Sequence, residues 1–191
     1  MKKTLQELVN VRSGYHFRAK AESDPDGNVA LIQFKDLDED FVLHTSDLTR
    51  VCVEKPEPYL VRQNDVLFVT RGTRLGAAVV QEALEDTIAT GSLFVLRPRK
   101  EILAGFLAWA INSAPVQAQL RRAGQGSNLL MVRRNDLEEI TLDVPPLEVQ
   151  RAIAALDECA RRERRLTIQL NEKRAALVEA VAARAIQSHL K

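Results

Sequence analysis

From Leu147 to Lys191 the chain contains no glycine and no proline, although eight glycines and seven prolines stand at or before Pro146. Nothing in that stretch breaks or kinks a helix. Pro145 and Pro146 suit a helix start, because proline at the first helical position sacrifices no hydrogen bond and already holds the required φ. Glu148 in the first turn complements the helix dipole. The expectation is one long helix over 147–191, about 65 Å if wholly helical and roughly twice the width of the domain it leaves. Much of such a helix needs another surface to cover it. With Ile153 at heptad position a, the a residues are Ile153, Ala160, Thr167, Arg174 and Val181, and the d residues are Leu156, Glu163, Leu170, Leu177 and Arg184. The seam is apolar but interrupted, a pattern that weakens a long dimer while restricting register and partner. A helix folded back on its own domain is the plainer alternative, and it leaves the outer half unsupported.

The remainder, residues 1–146, is long enough for one core. The whole chain has 27 basic and 26 acidic side chains and a net charge of +1, which excludes histone-like binding by bulk charge and leaves nucleic acid only through a local patch. Cys52 and Cys159 form no CxxC pair, so neither a disulfide framework nor a structural zinc site is indicated, and a reducing cytoplasm is expected. No apolar run reaches membrane-spanning length.

Short β-rich runs with turn punctuation fill the first hundred residues: VALIQF at 29–34, YLV at 59–61, DVLFVTR at 65–71, GAAVV at 76–80 and TGSLFVLRP at 90–98. They read as a mixed twisted sheet or small barrel. From Glu101 the period turns helical through Ile102, Leu103, Phe106, Leu107, Ala110 and Ile111, and PVQAQLRRA makes a second short helix ending at Gly124. LEEITLDV at 137–144 resembles a last strand. The fold class expected is therefore α+β, a sheet-based domain with short helices followed by a long coiled-coil helix.

Catalytic signatures are missing: there is no GxxxxGK loop, HExxH, GxSxG elbow or GxGxxG. GQGSN at 124–128 can offer backbone N–H groups to a phosphate, or can simply cap a helix. Pro25 and Asp26 followed by Gln33 and Lys35 in PDGNVALIQFK resemble the acid and lysine of a magnesium-dependent nuclease, but the second acid is lacking and Asp26 before glycine suits a hairpin turn. His16, His44 and His189 have no recognisable nucleophile partner. Basic residues mixed with aromatic and small polar ones recur at SGYHFRAK (13–20), at TRGTR (70–74), and at Arg121 and Arg122 before GQGSN with Arg133 and Arg134 after it. Each cluster alone is an ordinary solvated surface. Three in the turns of one domain suit DNA, where arginine grips guanine and hydroxyls or backbone N–H groups take phosphate oxygens.

The segment INSAPVQAQLRRAGQGSNLLMVRRNDLEEITLDVPPLEVQRAIAALD (111–157) resembles the end of a target-recognition domain and the start of the conserved helix in specificity (S) subunits of type I restriction-modification systems. Gly14 and Phe17 in LQELVNVRSGYHF, the run NDVLFVTRG and the strand TGSLFVLRP agree with the same family, and PPLEVQ is the most specific part. Asn64 stands where the family usually has glycine. S subunits typically carry two target-recognition domains and two conserved helices; this chain has one of each.

The resemblance implies a half-length, non-catalytic specificity subunit. Its target-recognition domain would span 1–146 and its dimerising helix 147–191, pairing antiparallel with a second copy so that two domains read an inverted, bipartite double-stranded DNA target. It implies that adenine methylation, with S-adenosylmethionine, belongs to a modification subunit and cleavage, with Mg²⁺ and ATP, to a restriction subunit, this chain holding no cofactor and touching no membrane. DVPPL lacks the aromatic that a DPPY motif stacks on a flipped base. The residues expected at DNA are Tyr15, His16, Arg18, Lys20, Arg71, Thr73, Arg74, Ser127 and Asn128; those at the dimer seam are Ile153, Leu156, Leu170, Leu177 and Val181. The alternatives are an interaction module that binds partner subunits without reading DNA, and the nuclease.

Overall fold

Val66–Val69 is buried at all four positions, and successive side chains must then enter two different cores. The computed structural model, which describes residues 1–17, 21–124 and 130–189, with side chains to Arg184, shows this. Val66 and Phe68 join one hydrophobic cluster, while Leu67 and Val69 join another.

The chain opens with β1 (Lys2–Thr4), a single helical turn α1 (Leu5–Leu8) and β2 (Val9–Ser13). The turn is dictated by Thr-Leu-Gln-Glu: the Glu7 carboxylate accepts the Thr4 backbone N–H and hydroxyl, both at 2.7 Å. Then follow β3 (Val29–Ile32), β4 (Thr49–Val51), β5 (Val66–Val69), β6 (Arg71–Gly72), β7 (Ala77–Val79), β8 (Thr87–Ala89) and β9 (Leu93–Pro98). After them come α2 (Ala104–Asn112), α3 (Ala114–Ala123), β10 (Leu130–Met131), α4 (Arg134–Glu138), β11 (Thr141–Asp143) and α5 (Leu147–His189).

The largest sheet is antiparallel, in the order β2-β9-β5-β7. Phe94 and Leu96 of β9 share one face with Val66 and Phe68, where Phe106, Leu107 and Ile111 of α2 and Leu120 of α3 cover them. Leu93 and Val95 share the other face with Leu67 and Val69, beneath Ile32, Val61 and Val80. A second sheet, β4-β3-β8, joins β3 antiparallel to β4 and parallel to β8, and β1-β11 and β6-β10 are two-stranded ribbons. Among the described residues the strands make a mixed α+β arrangement of separate open sheets, and none closes into the small barrel that the strand spacing allowed.

Two expected strands are shorter than their apolar runs, and a third, YLV, does not form. VALIQF ends at Ile32, because the Asp36 carboxylate accepts the Gln33 N–H at 2.7 Å and turns Phe34–Asp36 into a 3₁₀ helix. In YLV, Pro56 and Pro58 bring Tyr59 into a 3₁₀ turn, and Leu60 keeps only an isolated bridge to Ile88. LEEITLDV is a strand over Thr141–Asp143 alone; its first residues complete α4, where the Asp136 carboxylate accepts the Arg133 N–H at 3.3 Å.

Two units divide the chain, Met1–Ala154 and Ala155–Lys191. The first turns of α5 therefore belong with the sheets. Gln150 is wholly buried there: its amide N–H groups reach the carbonyls of Glu101 at 3.0 Å and Pro145 at 2.9 Å, and its carbonyl accepts the Leu103 N–H at 2.9 Å. Ile153 packs against the same core as α2. In the second unit Leu156, Leu166, Leu170, Leu177, Val178 and Val181 are exposed. At 100° per residue these six lie within roughly 120° of one another around the helix, and a seventh exposed apolar residue, Ile168, lies outside that arc. Among the described residues no helix is long and apolar enough to cross a membrane.

Candidate nucleic-acid interface

Beyond β2 the backbone runs against the β8–β9 turn, with Gly14 N–H donating to Leu93 at 2.9 Å, Tyr15 to Ala89 at 2.7 Å and Gly91 to Tyr15 at 2.8 Å. The approach is too close for a side chain, since a Cβ on Gly14 would fall 2.1 Å from the Thr90 carbonyl oxygen. Tyr15 is half-buried, its ring edge-on to Phe17 at 4.7 Å and to Tyr59 at 5.0 Å. His16, the next residue, is exposed, and its imidazole fills the space over Gly91.

This junction forms one wall of an open cleft of about 700 Å³. Gln33, Phe34 and Lys35 line it from the turn after β3, Thr70 and Arg71 from β6 and the residue before it, Thr90 and Ser92 from the β8–β9 turn, and Met131 and Arg133 from β10 and its continuation. Lys35, Arg71 and Arg133 are its cations, and no Asp or Glu of the described residues lines it. The ribbon explains why these residues meet: Met131 lies opposite Arg71, Val132 N–H donates to Thr70 at 2.8 Å, and period-two alternation returns Arg133 to the side of Met131. Val132 between them is in the core.

The three cations are held differently. Lys35 Nζ donates to Thr49 Oγ1 at 2.9 Å. Arg71 is exposed on the ribbon. Arg133 is clamped by Asp136, Nε to Oδ2 at 2.9 Å and Nη2 to Oδ1 at 3.1 Å. Those hydrogen bonds hold the Asp136 carboxyl below its ordinary range and raise the Arg133 guanidinium further.

Thr73 and Arg74 fall in a separate cleft of about 290 Å³, beside Phe41, Asn112 and Leu130. Arg74 is already engaged, its guanidinium over the Phe41 ring at 5.1 Å and donating to the Glu39 carbonyl. Of the residues expected at DNA, the fold thus gathers Tyr15, His16 and Arg71 in one cleft and Thr73 and Arg74 in another. Arg18, Lys20, Ser127 and Asn128 lie outside the described residues. Gln33, Lys35, Met131 and Arg133 were not among those expected, although Gln33 and Lys35 stood in PDGNVALIQFK and Arg133 in one of the basic pairs. Asp26, read beside them as a nuclease acid, does not line the cleft; its N–H donates to Asp24 Oδ1 at 3.0 Å in the turn before β3. Among the described residues no three His, Cys, Asp or Glu side chains group as metal ligands.

A buried ion cluster underlies the large sheet. Asp65, 1% exposed, accepts Arg97 Nε at 2.8 Å and Nη2 at 2.7 Å, and the Arg62 N–H at 2.8 Å. Arg12 Nη2 stands 3.8 Å from the same carboxylate and donates to the Leu60 carbonyl, while Nη1 donates to the Pro58 carbonyl. Burial, and next the Arg97 charge, lower the affinity of Arg12 for its proton. The cluster joins β2, β9 and the turn before β5, and none of its members lines either cleft.

Residues 1–172 match the family model of the type I restriction modification DNA specificity domain. No curated protein sequence matches. Among solved structures the fold is similar to a chain from a study of complex assembly and conformational transition of the type I R-M system, with a TM-score of 0.64 and 20% identity over 85% of this chain and 38% of that one. It is also similar to the HsdS subunit from Thermoanaerobacter tengcongensis, with a TM-score of 0.61 and 21% identity over 85% and 37%. The S subunit of the M. genitalium type I restriction-modification system follows, with a TM-score of 0.51 and 18% identity over 82% and 37%. The chain spans less than two fifths of the length of each of these.

Proposed function

The chain belongs to the family of type I restriction-modification DNA specificity domains, and from that premise we propose that it is a non-catalytic subunit that reads double-stranded DNA through the cleft between the β8–β9 turn and the β6–β10 ribbon. The observation that carries the reading is the charge of that cleft. Three cations, of which Arg133 is ion-paired with Asp136, and no lining carboxylate meet in a chain whose net charge is only +1, so the cleft keeps a positive potential where a phosphate backbone can enter. Thr70 donates its hydroxyl to the Ser92 carbonyl at 2.9 Å, and the hydrogen-bonded pair Thr90 and Ser92, 2.8 Å apart, leaves one O–H for a phosphate oxygen to accept from.

The exposed apolar stripe of α5 supports pairing with a second copy, whose two-fold symmetry would present two recognition domains to inverted half-sites separated by a fixed gap. In this proposal the pair recruits modification and restriction subunits in the cytoplasm, which bring S-adenosylmethionine, Mg²⁺ and ATP. Methylation mapping of DNA from cells carrying this chain with its cognate modification subunit tests the whole reading. The expected modified motif is an interrupted inverted repeat. An asymmetric motif would overturn the paired-copy arrangement, and no change in methylation would overturn DNA reading.

A further inference from the structure

Resting on the proposal that the cleft faces DNA, we infer that Arg133 is its guanine-reading side chain and that Asp136 is the positioning residue that presets it. A guanidinium holds five N–H donors in one plane. Asp136 takes one edge of that plane, Nε and Nη2. The end edge, Nη1 with the second N–H of Nη2, is left with two parallel donors, the fork that matches guanine O6 and N7 in the major groove.

The clamp is itself anchored. Asp136 Oδ2 also accepts the Arg133 backbone N–H, and the following residue, Leu137, is fully buried. The Asp136 side chain is 16% exposed against 57% for Arg133, so the carboxylate sits below and the fork stays in water. Arg133 thus meets DNA with its geometry already set, and little side-chain freedom is lost on binding. The neighbouring cations lack this arrangement. Lys35 presents a point charge, suited to phosphate. Arg74 is turned onto Phe41 and lines the other cleft. Arg134 makes a single Nε contact to Glu138 and does not line the cleft.

The same fork can take two oxygens of one phosphate, and the test separates the two. The full-length wild-type chain is used to select duplexes from a randomised pool, and binding of the selected duplex and its single-base variants is then compared for wild type, R133K and D136N. R133K keeps a cation and removes the fork; D136N keeps the fork and loosens it. The expected result is a selected motif containing a G·C pair at which R133K loses discrimination by about tenfold or more. Its affinity for unrelated duplexes and its salt dependence should stay as in wild type. D136N should lose discrimination at that same pair, to a smaller degree, and thermal melting of R133K should match wild type. Discrimination retained by R133K at every G·C pair overturns the inference while leaving DNA reading intact. So does equal weakening on all duplexes with a shallower salt slope, which identifies a phosphate contact. Failure of the wild-type chain to select any motif even at low salt, where a few phosphate contacts suffice for binding, overturns the proposed function itself, and this inference with it.

Discussion

Asn64 is the residue at which sequence and backbone agree most directly. Its φ is +68°, in the left-handed region, where asparagine is tolerated and most residues with a Cβ pay about 1 kcal/mol or more. Asn64→Ala should therefore destabilise the protein by roughly 1 kcal/mol, and Asn64→Gly should be close to neutral, both read from the midpoint of denaturant unfolding. Two equal midpoints would show that the turn relaxes. The next residue, Asp65, carries a far larger energy, because it is the buried partner of Arg97 and Arg12. Asp65→Ala leaves two guanidinium groups uncompensated and should cost on the order of 3–5 kcal/mol by the same measurement. The turn chemistry of Asn64 was legible in the sequence. The charge cluster was not, because Arg12, Asp65 and Arg97 are brought together by the pairing of β2, β9 and β5, and no spacing along the chain announces it.

At the scale of elements, legibility followed length. The helices α2, α3 and α5 have enough turns for their period to show, whereas α4 has five residues, the last two of which fell inside the expected strand LEEITLDV. What decided that segment was one carboxylate three residues past Arg133, a capping signal visible in the sequence as RRND and outweighed by the apolar alternation that follows. In α5 the reading of the seam divides. Ile153 packs against the core of the first unit, while Leu156, Leu170, Leu177 and Val181 are exposed, with Leu166 and Val178 widening the stripe. If two copies cover that stripe, one buried charge in each should be enough to part them. Leu177→Glu should shift the chain from dimer to monomer in sedimentation at micromolar concentration, and Ile168→Glu, on the opposite side of the helix, should not. Equal behaviour of the two variants would remove the stripe from the interface. Gln150 predicts a different loss: Gln150→Leu strips hydrogen bonds from Leu103, Glu101 and Pro145 and should lower stability by about 1–3 kcal/mol without changing the dimer constant.

For the whole molecule the informative quantity is where charge collects, since 27 basic and 26 acidic residues nearly cancel. The candidate cleft escaped a reading by sequence clusters because it draws on five separate stretches, around Tyr15, Lys35, Arg71, Gly91 and Arg133, that only the sheet and ribbon pairings assemble. One expected basic cluster, TRGTR, is even split by its ribbon between two clefts. A local patch on a near-neutral chain makes a specific claim about binding. Each phosphate neutralised contributes about 0.9 to the slope of log affinity against log salt, so few contacts mean a shallow slope and weak binding by the isolated chain. If Lys35 and Arg71 each meet a phosphate, the double variant Lys35→Ala, Arg71→Ala should flatten that slope by roughly 2. Its affinity should then fall roughly tenfold less than that of wild type between about 50 and 200 mM salt. The loss at low salt should be the same for every duplex tested, which fluorescence anisotropy on the selected site and on scrambled DNA would establish. An unchanged slope would mean that these two cations do not touch the backbone, and that the cleft, however charged, is not where the duplex lies.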